Sequence, residues 1–204
     1  MGKILPQKFF ERATVTVARD LLGKYLCRRR GRKIVRAVIT EVEAYDGFED
    51  RASHAHRGKT KRNSVMFGPA GYWYVYFTYG MHWMLNIVTG KEGYPAAILI
   101  RSCELVNSKL ETLNSKQRTR INGPGRVTKF MKIDGKLNGK RASRVAHLWI
   151  AAPSDKERAS LRKQFGAGKL KIKSSPRIGV AYAGPVWSKK HYRFYIIHNR
   201  LDEN

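Results

Sequence analysis

Gly71-Tyr72-Trp73-Tyr74-Val75-Tyr76-Phe77-Thr78-Tyr79-Gly80-Met81-His82-Trp83-Met84-Leu85-Asn86 holds four of the ten tyrosines and two of the four tryptophans of this chain. Tyr72, Tyr74 and Tyr76 recur at every second residue, while Trp73, Val75 and Phe77 take the other parity. Period two is the signature of a strand, here with one face of phenols and one of plain core. Thr78-Tyr79-Gly80 breaks the alternation and apolar residues resume at once. This predicts a hairpin with Tyr79 near its tip. Three phenols on one face need three hydroxyl partners, which is costly in a dry core. An aromatic at a glycine-flanked tip has nothing of its own chain to pack on. The stretch is therefore either an aromatic-rich core hairpin or one that meets stacked rings brought to it.

Outward from this hairpin, 204 residues with 42% hydrophobics suit one folded domain spanning 1–204 with a real core. No apolar run approaches the ~20 residues that span a bilayer. Met1–Pro6 lacks the apolar core of a secretory signal, and Pro6 sits where a myristoylation motif wants Ser or Thr. Cys27 and Cys103 read as free thiols in a reducing compartment, with no zinc spacing. The net charge of +26 asks for a polyanion, with nucleic acid the first partner to consider. No basic amphipathic helix argues for a membrane.

Phe9, Phe10, Ala13, Val17 and Leu21 predict one helix over Phe9–Leu22, stopped by Gly23. Tyr25–Cys27, a basic turn Arg28–Lys33, and Ile34–Glu43 predict a second hairpin. Strict alternation puts Glu41 and Glu43 on one face with Val35, Ala37 and Ile39. A carboxylate that continues an apolar face implies that the face opens into a cleft. Glu41, Glu43, Asp46, Glu49 and Asp50 form an acidic island in a cationic chain. It reads as a functional carboxylate, as a charge-balancing loop, or, with His54 and His56, as a divalent-metal site. Arg51–Arg62 looks like phosphate-facing surface. Ala96–Arg101 predicts an apolar strand, whose closing arginine is either a rim residue or the holder of a buried carboxylate. Lys109–Arg120 reads as a loop or short helix. Gly123-Pro124-Gly125, with Arg126 and Lys129, is a turn opening a helix and a candidate phosphate seat. His147–Ala152, Ile178–Ala183 and Arg193–Ile197 are expected as strands, and Pro153–Gly168 as a loop with a short helix.

The order of these features carries a resemblance: Glu41-Val42-Glu43-Ala44-Tyr45, Asp50 to His54, Arg62-Asn63, Met66-Phe67, Tyr74–Met81, Asn86, Arg101, Gly123-Pro124-Gly125, Arg177–Gly184 and Arg193-Phe194-Tyr195. From about Phe9 to Tyr195 the chain resembles the alkyladenine (3-methyladenine, N-methylpurine) DNA glycosylase family. The resemblance implies a mixed α+β single domain, with an antiparallel β-sheet core, peripheral helices and a protruding β-hairpin. It implies a monofunctional hydrolase of base-excision repair that acts on double-stranded DNA containing damaged purines. It also implies minor-groove binding and no cofactor, metal or Schiff-base lysine. By the same resemblance Glu43 is the base that activates water, held with Arg101 and the backbone carbonyl of Ile178. Tyr45, His54 and Tyr76 wall the base pocket, Tyr79 is the wedge with Met81 beside it, and Asn86 disfavours unmodified guanine. Tyr72 and Tyr74 keep a plain core role. A monomer is expected, in the cytoplasm (a bacterial nucleoid) or a nucleus, and not secreted. Ala183-Gly184-Pro185-Val186-Trp187 departs from the family's Ala-Gly-Glu-Trp, and the C-terminus lacks its usual ending.

These residue types suit that chemistry. A base inside a duplex has to leave the stack before it can be reached. Alkylated purines are electron-poor, so an aromatic cage favours them through stacking and cation–π attraction. Hydrolysis passes through a cation-like sugar that a carboxylate both stabilises and supplies with activated water. A metal-dependent nuclease built on Glu41, Glu43, Asp46 and His54 is the first alternative. A non-catalytic nucleic-acid-binding protein is the second.

Overall fold

In the computed structural model the described residues are 2–105, 120–165 and 170–197, without the side chains of 163 and 164. The expected segment Lys109–Arg120 and the C-terminal departure lie outside them, save Arg120 itself. The N-terminal periodicity is split into two helices, α1 (Gln7–Phe10) and α2 (Thr14–Leu21). The Phe9 carbonyl accepts from Arg12 Nε at 3.0 Å, competing with the bond that a continuous helix would send it from Ala13. Thr14, Val17, Ala18 and Leu21, spaced i, i+3, i+4, i+7, are the buried stripe of α2.

β1 (Tyr25–Arg30) and β2 (Lys33–Asp46) form the second hairpin, longer than expected because the basic residues continue both strands up to a turn at Gly31. β3 (Trp73–Thr78) and β4 (His82–Val88) form the aromatic hairpin. β5 (Ala96–Leu105), β6 (Arg120–Asn122), α3 (Pro124–Met131) and β7 (Leu148–Ala151) follow. α4 (Asp155–Phe165), β8 (Ile172–Ser175), α5 (Gly184–Trp187) and β9 (Arg193–Ile196) complete the described chain. The strands make one antiparallel sheet of order β3-β4-β5-β2-β1-β7, with β6 on β5, β9 on β2 and β8 on β9. α2 packs on β2 and β5, and α3 on β4 and β5. The mixed α+β class, the antiparallel sheet and the projecting hairpin agree with the sequence reading. No described helix is long and apolar enough to cross a membrane.

The sheet curls. β3 and β7 end its path, yet the Trp73 indole donates to the Leu148 carbonyl at 3.2 Å. Trp73 N also bonds the Lys140 carbonyl at 2.9 Å, and Gly139 N bonds the Trp73 carbonyl at 2.8 Å. Segment 139–148 thereby joins the two ends around a core that includes Trp73, Leu85, Ile98, Ile100 and Trp149.

Three expectations need correction. Ile178–Ala183 is not a strand. After Pro176 it turns through Gly179 (φ 74°) into a single 3-10 turn, Ala181–Ala183, and Ile172–Ser175 supplies the strand instead. Phe77 is not core: it is 44% exposed, because the hairpin projects past the core, and its ring lies on Trp83 across the pair at 4.8 Å. Strict alternation in β2 also fails. Register shifts leave Thr40 and Arg101 without cross-strand partners, so core parity passes from Ile39–Cys103 to Val42–Ile100 and Ala44–Ile98. Glu43 and Tyr45 consequently face away from the main core.

Ser154-x-x-Glu157 has the spacing of a capping box and makes its Glu-to-amide half. Ser154 N and Oγ each lie 2.7 Å from Glu157 Oε2, while Arg36 reaches Oε1 at 2.5 Å. Burial works upward on the Glu157 carboxyl, but the Ser154 amide and Arg36 outweigh it and bring its pKa from 4.5 to about 2. A depressed carboxyl stabilises the fold above its unfolded value, and that stability is lost as pH falls through the folded one. Glu157→Gln should therefore lower Tm at pH 7, with a gap that narrows from pH 4.5 toward 2. A gap independent of pH in thermal melts would refute this.

Candidate active site

A cavity of ≈ 800 Å³ opens between the β3–β4 hairpin, the floor of β4 and β5, loop 51–57 and the 178–182 turn. Its lining includes Tyr45, His54, Tyr76, Tyr79, Asn86, Arg101 and Ile178. These seven expected site residues come from six separate segments. Glu43 lies one layer beneath, fully buried at 0% exposure. Three of the lining residues hold its carboxyl, two by hydrogen bonds and one by charge. Tyr45 Oη donates to Oε2 at 2.9 Å, the Ile178 amide donates to Oε1 at 2.8 Å, and Arg101 Nη1 sits 3.3 Å from Oε1. The structure thus brings Ile178 to Glu43 through its N–H. Two donors on an acceptor group of about four lone-pair positions, with a guanidinium charge beside them, suit a buried carboxylate.

Arg101 is shared. Its Nε bonds Glu41 Oε1 at 3.2 Å, and Glu41 is also held by Ser102 Oγ at 2.6 Å and Arg193 Nη1 at 3.3 Å. Of the two strand-end carboxylates, one is therefore spent on orienting Arg101 and the other faces the cavity floor. The arginine that closes an apolar strand is a holder of carboxylates, the second of its two sequence readings.

The aromatic wall is a stack of neutral rings. His54 packs edge-on to Tyr76 at 4.7 Å, and its Nδ1 is 3.1 Å from the Tyr74 hydroxyl. Burial, aided by the Arg62 charge, lowers the His54 pKa, so the imidazole is neutral at pH 7. Burial also raises the phenols: Tyr74 to about 12, and Tyr45 and Tyr76 well above their ordinary 10. Arg62 covers the Tyr76 ring at 5.1 Å and bonds the Phe77 carbonyl. Asn86 is buried, with Nδ2 bonded to the Tyr74 carbonyl at 3.1 Å.

At the rim Tyr79 is 83% exposed and has φ 52°, with Gly80 at 66°. The left-handed pair closes a tight turn, Met81 N to Thr78 O at 3.2 Å, and holds the ring out on the tip. Met81 is exposed beside it. Gly123, at φ 98°, caps α3; Pro124 lines the cavity, and Arg126 and Lys129 are exposed on the same helix. Among the described residues no three His, Cys, Asp or Glu converge to hold a metal.

Four residues take places that the sequence reading does not give them. Tyr74 is no plain core residue, since it lines the cavity and meets His54. Its parity with Tyr76 was the available signal. Tyr182 lines the rim, its hydroxyl bonded to the Ala52 carbonyl at 2.9 Å. Asp50 and Arg177 form a fully buried pair from 127 residues apart, for which local pattern gives no signal.

The family model described as methylpurine-DNA glycosylase matches residues 8–200. A Legionella pneumophila (strain Lens) relative is 45% identical over 96% of this chain and 95% of its own. One from Methanocella arvoryzae is 41% identical over 94% and 92%, and one from Anaeromyxobacter dehalogenans 40% over 93% and 82%. All three bear the name "Putative 3-methyladenine DNA glycosylase".

Proposed function

This chain belongs to the methylpurine-DNA glycosylase family, and from that premise we propose that it turns alkylated or deaminated purines out of duplex DNA and hydrolyses their N-glycosidic bond. The observation that carries the reading is Glu43, buried beneath an aromatic cavity and held by Tyr45, Arg101 and Ile178. Glu43 takes a proton from water as the water oxygen bonds C1′ of the deoxyribose. The C1′–N9 electrons leave with the purine, and an abasic sugar remains. The carboxylate also steadies the cation-like sugar. Arg101 and the Ile178 carbonyl complete the hold on that water.

Tyr45, Tyr76 and His54 cage the extruded base. A neutral His54 matters here, because an imidazolium would repel a cationic purine while neutral rings attract it. Asn86, which lines the cavity, disfavours guanine by crowding the extra amino group that adenine lacks. The Gly123–Gly125 turn with Arg126 and Lys129 takes a backbone phosphate, which the net charge of +26 also favours.

Duplexes carrying hypoxanthine or 7-methylguanine test this. The protein should release free base, leave the strand intact until alkali, and work in EDTA. Strand cleavage that EDTA abolishes would establish the nuclease alternative, and absence of base release the non-catalytic one.

Tyr79 fills the gap left by the base, with Met81 alongside. Stacking of this kind is worth ~1–3 kcal/mol. Tyr79→Ala should slow single-turnover release about 5- to 150-fold while binding undamaged duplex within twofold of wild type. An unchanged single-turnover rate would remove Tyr79 from the mechanism.

A further inference from the structure

Both hydrogen-bond donors to Glu43 trace back to a single buried cation. Arg177 directly precedes Ile178, whose amide meets Glu43 Oε1. Its guanidinium also lies over the Tyr45 ring at 4.8 Å, and the Tyr45 hydroxyl meets Oε2. It also lies over the Tyr192 ring at 5.3 Å. Nη1 bonds the Ala44 carbonyl at 2.8 Å, the backbone between Glu43 and Tyr45. Asp50 fixes the guanidinium from both ends, Oδ2 to Nη1 at 2.5 Å and Oδ1 to Nη2 at 2.8 Å. Asp50 is in turn anchored by the amides of Asp46 and Ala52. Nη2 reaches the Trp187 carbonyl at 3.3 Å.

The 176–180 segment is a turn with no strand pairing, so sheet register does not set where the Ile178 amide points. The bidentate fork does so instead, because two parallel bonds fix a plane as well as a distance. The Arg177 guanidinium thereby ties the Tyr45 ring to the β2 backbone at Ala44 beside the carboxylate.

We propose that Arg177, locked by Asp50, is a positioning residue: it orients the Tyr45 hydroxyl and the Ile178 amide on Glu43 and so sets the aim of the carboxylate at the attacking water. This rests on the glycosylase reading, and it adds a role for a pair that touches neither base nor water. A lysine delivers a point charge without the fork, so Arg177→Lys should leave the charge and lose the plane. Displacement of a reacting group by about 1 Å costs up to about 100-fold in rate.

The test uses the full chain with a hypoxanthine duplex at 10 °C, with circular dichroism confirming that each variant is folded. For Arg177→Lys and Asp50→Asn the maximal single-turnover rate should fall about 10- to 100-fold. The duplex concentration for half-maximal rate, and affinity for an abasic-analogue duplex, should stay within threefold. A rate equal to wild type, or a loss confined to binding, would overturn the role. So would a failure of both variants to fold while Glu43→Gln folds normally, because the pair would then be a structural one only. An inactive wild type would instead sink the glycosylase reading itself, so the two failures are distinct.

Discussion

Glu43→Gln is expected to abolish most hypoxanthine release, by about 10²- to 10⁴-fold in single turnover, the range that a positioned general base supplies. The substitution is near-isosteric, and the site accommodates it. The amide oxygen can keep the bond from the Ile178 amide and stay beside Arg101, while the amide nitrogen faces a Tyr45 hydroxyl that can turn to accept. The variant should therefore fold, and should bind lesion and abasic-analogue duplexes as well as wild type. The loss should be smaller for 7-methylguanine, whose cationic base leaves with less help. The ordering of the two lesions matters more than either rate. Equal losses point to a structural fault, and a rate within threefold of wild type removes Glu43 from the chemistry.

Trp73→Ala should be the most destabilising of these substitutions. Trp73 is fully buried in the main core, and truncating a buried aromatic of this size costs ~3–5 kcal/mol. For a chain of this length that is a fall in Tm on the order of 10 °C. The effect has a second component. The indole N–H is the direct bond between β3 and the strand at the far end of the sheet, and its loss leaves the Leu148 carbonyl without that donor. Trp73→Phe keeps most of the packing and drops only this bond, so it should lose less than half as much. β3 also carries Tyr74 and Tyr76 into the cavity and Tyr79 to the rim, so heating Trp73→Ala should end base release at the temperature where it unfolds. A Tm within 2 °C of wild type would contradict this account of how the curled sheet is held.

The aromatic stretch announces its hairpin and its tip, because strand alternation and turn chemistry are local, whereas Tyr76, Tyr79 and Asn86 are tied to a pocket only by the family resemblance. It misplaced Phe77, since alternation tells which face a side chain takes but not whether another layer covers that face. The same limit explains Glu43. Alternation put it on the face of Ile39, whereas the unpaired Thr40 and Arg101 reverse the parity and turn Glu43 toward the cavity floor. The N-terminal spacing predicts one helix where there are two, because the spacing of apolar residues does not register a side chain such as Arg12 capturing the Phe9 carbonyl.

By itself, the sequence determined the family, the β-rich core, the exposed Tyr79 tip and the preference for a polyanionic partner, since spacing, turn residues and charge are properties of the chain before it folds. Only the tertiary structure decided which acid was enclosed and which was spent on Arg101. It alone closed the sheet through Trp73 and joined Asp50 to Arg177. Those outcomes depend on groups dozens to more than a hundred residues apart meeting at hydrogen-bond distance. Such meetings are fixed by how strands bulge and how a sheet curls, and neither leaves a periodic trace in the residues concerned.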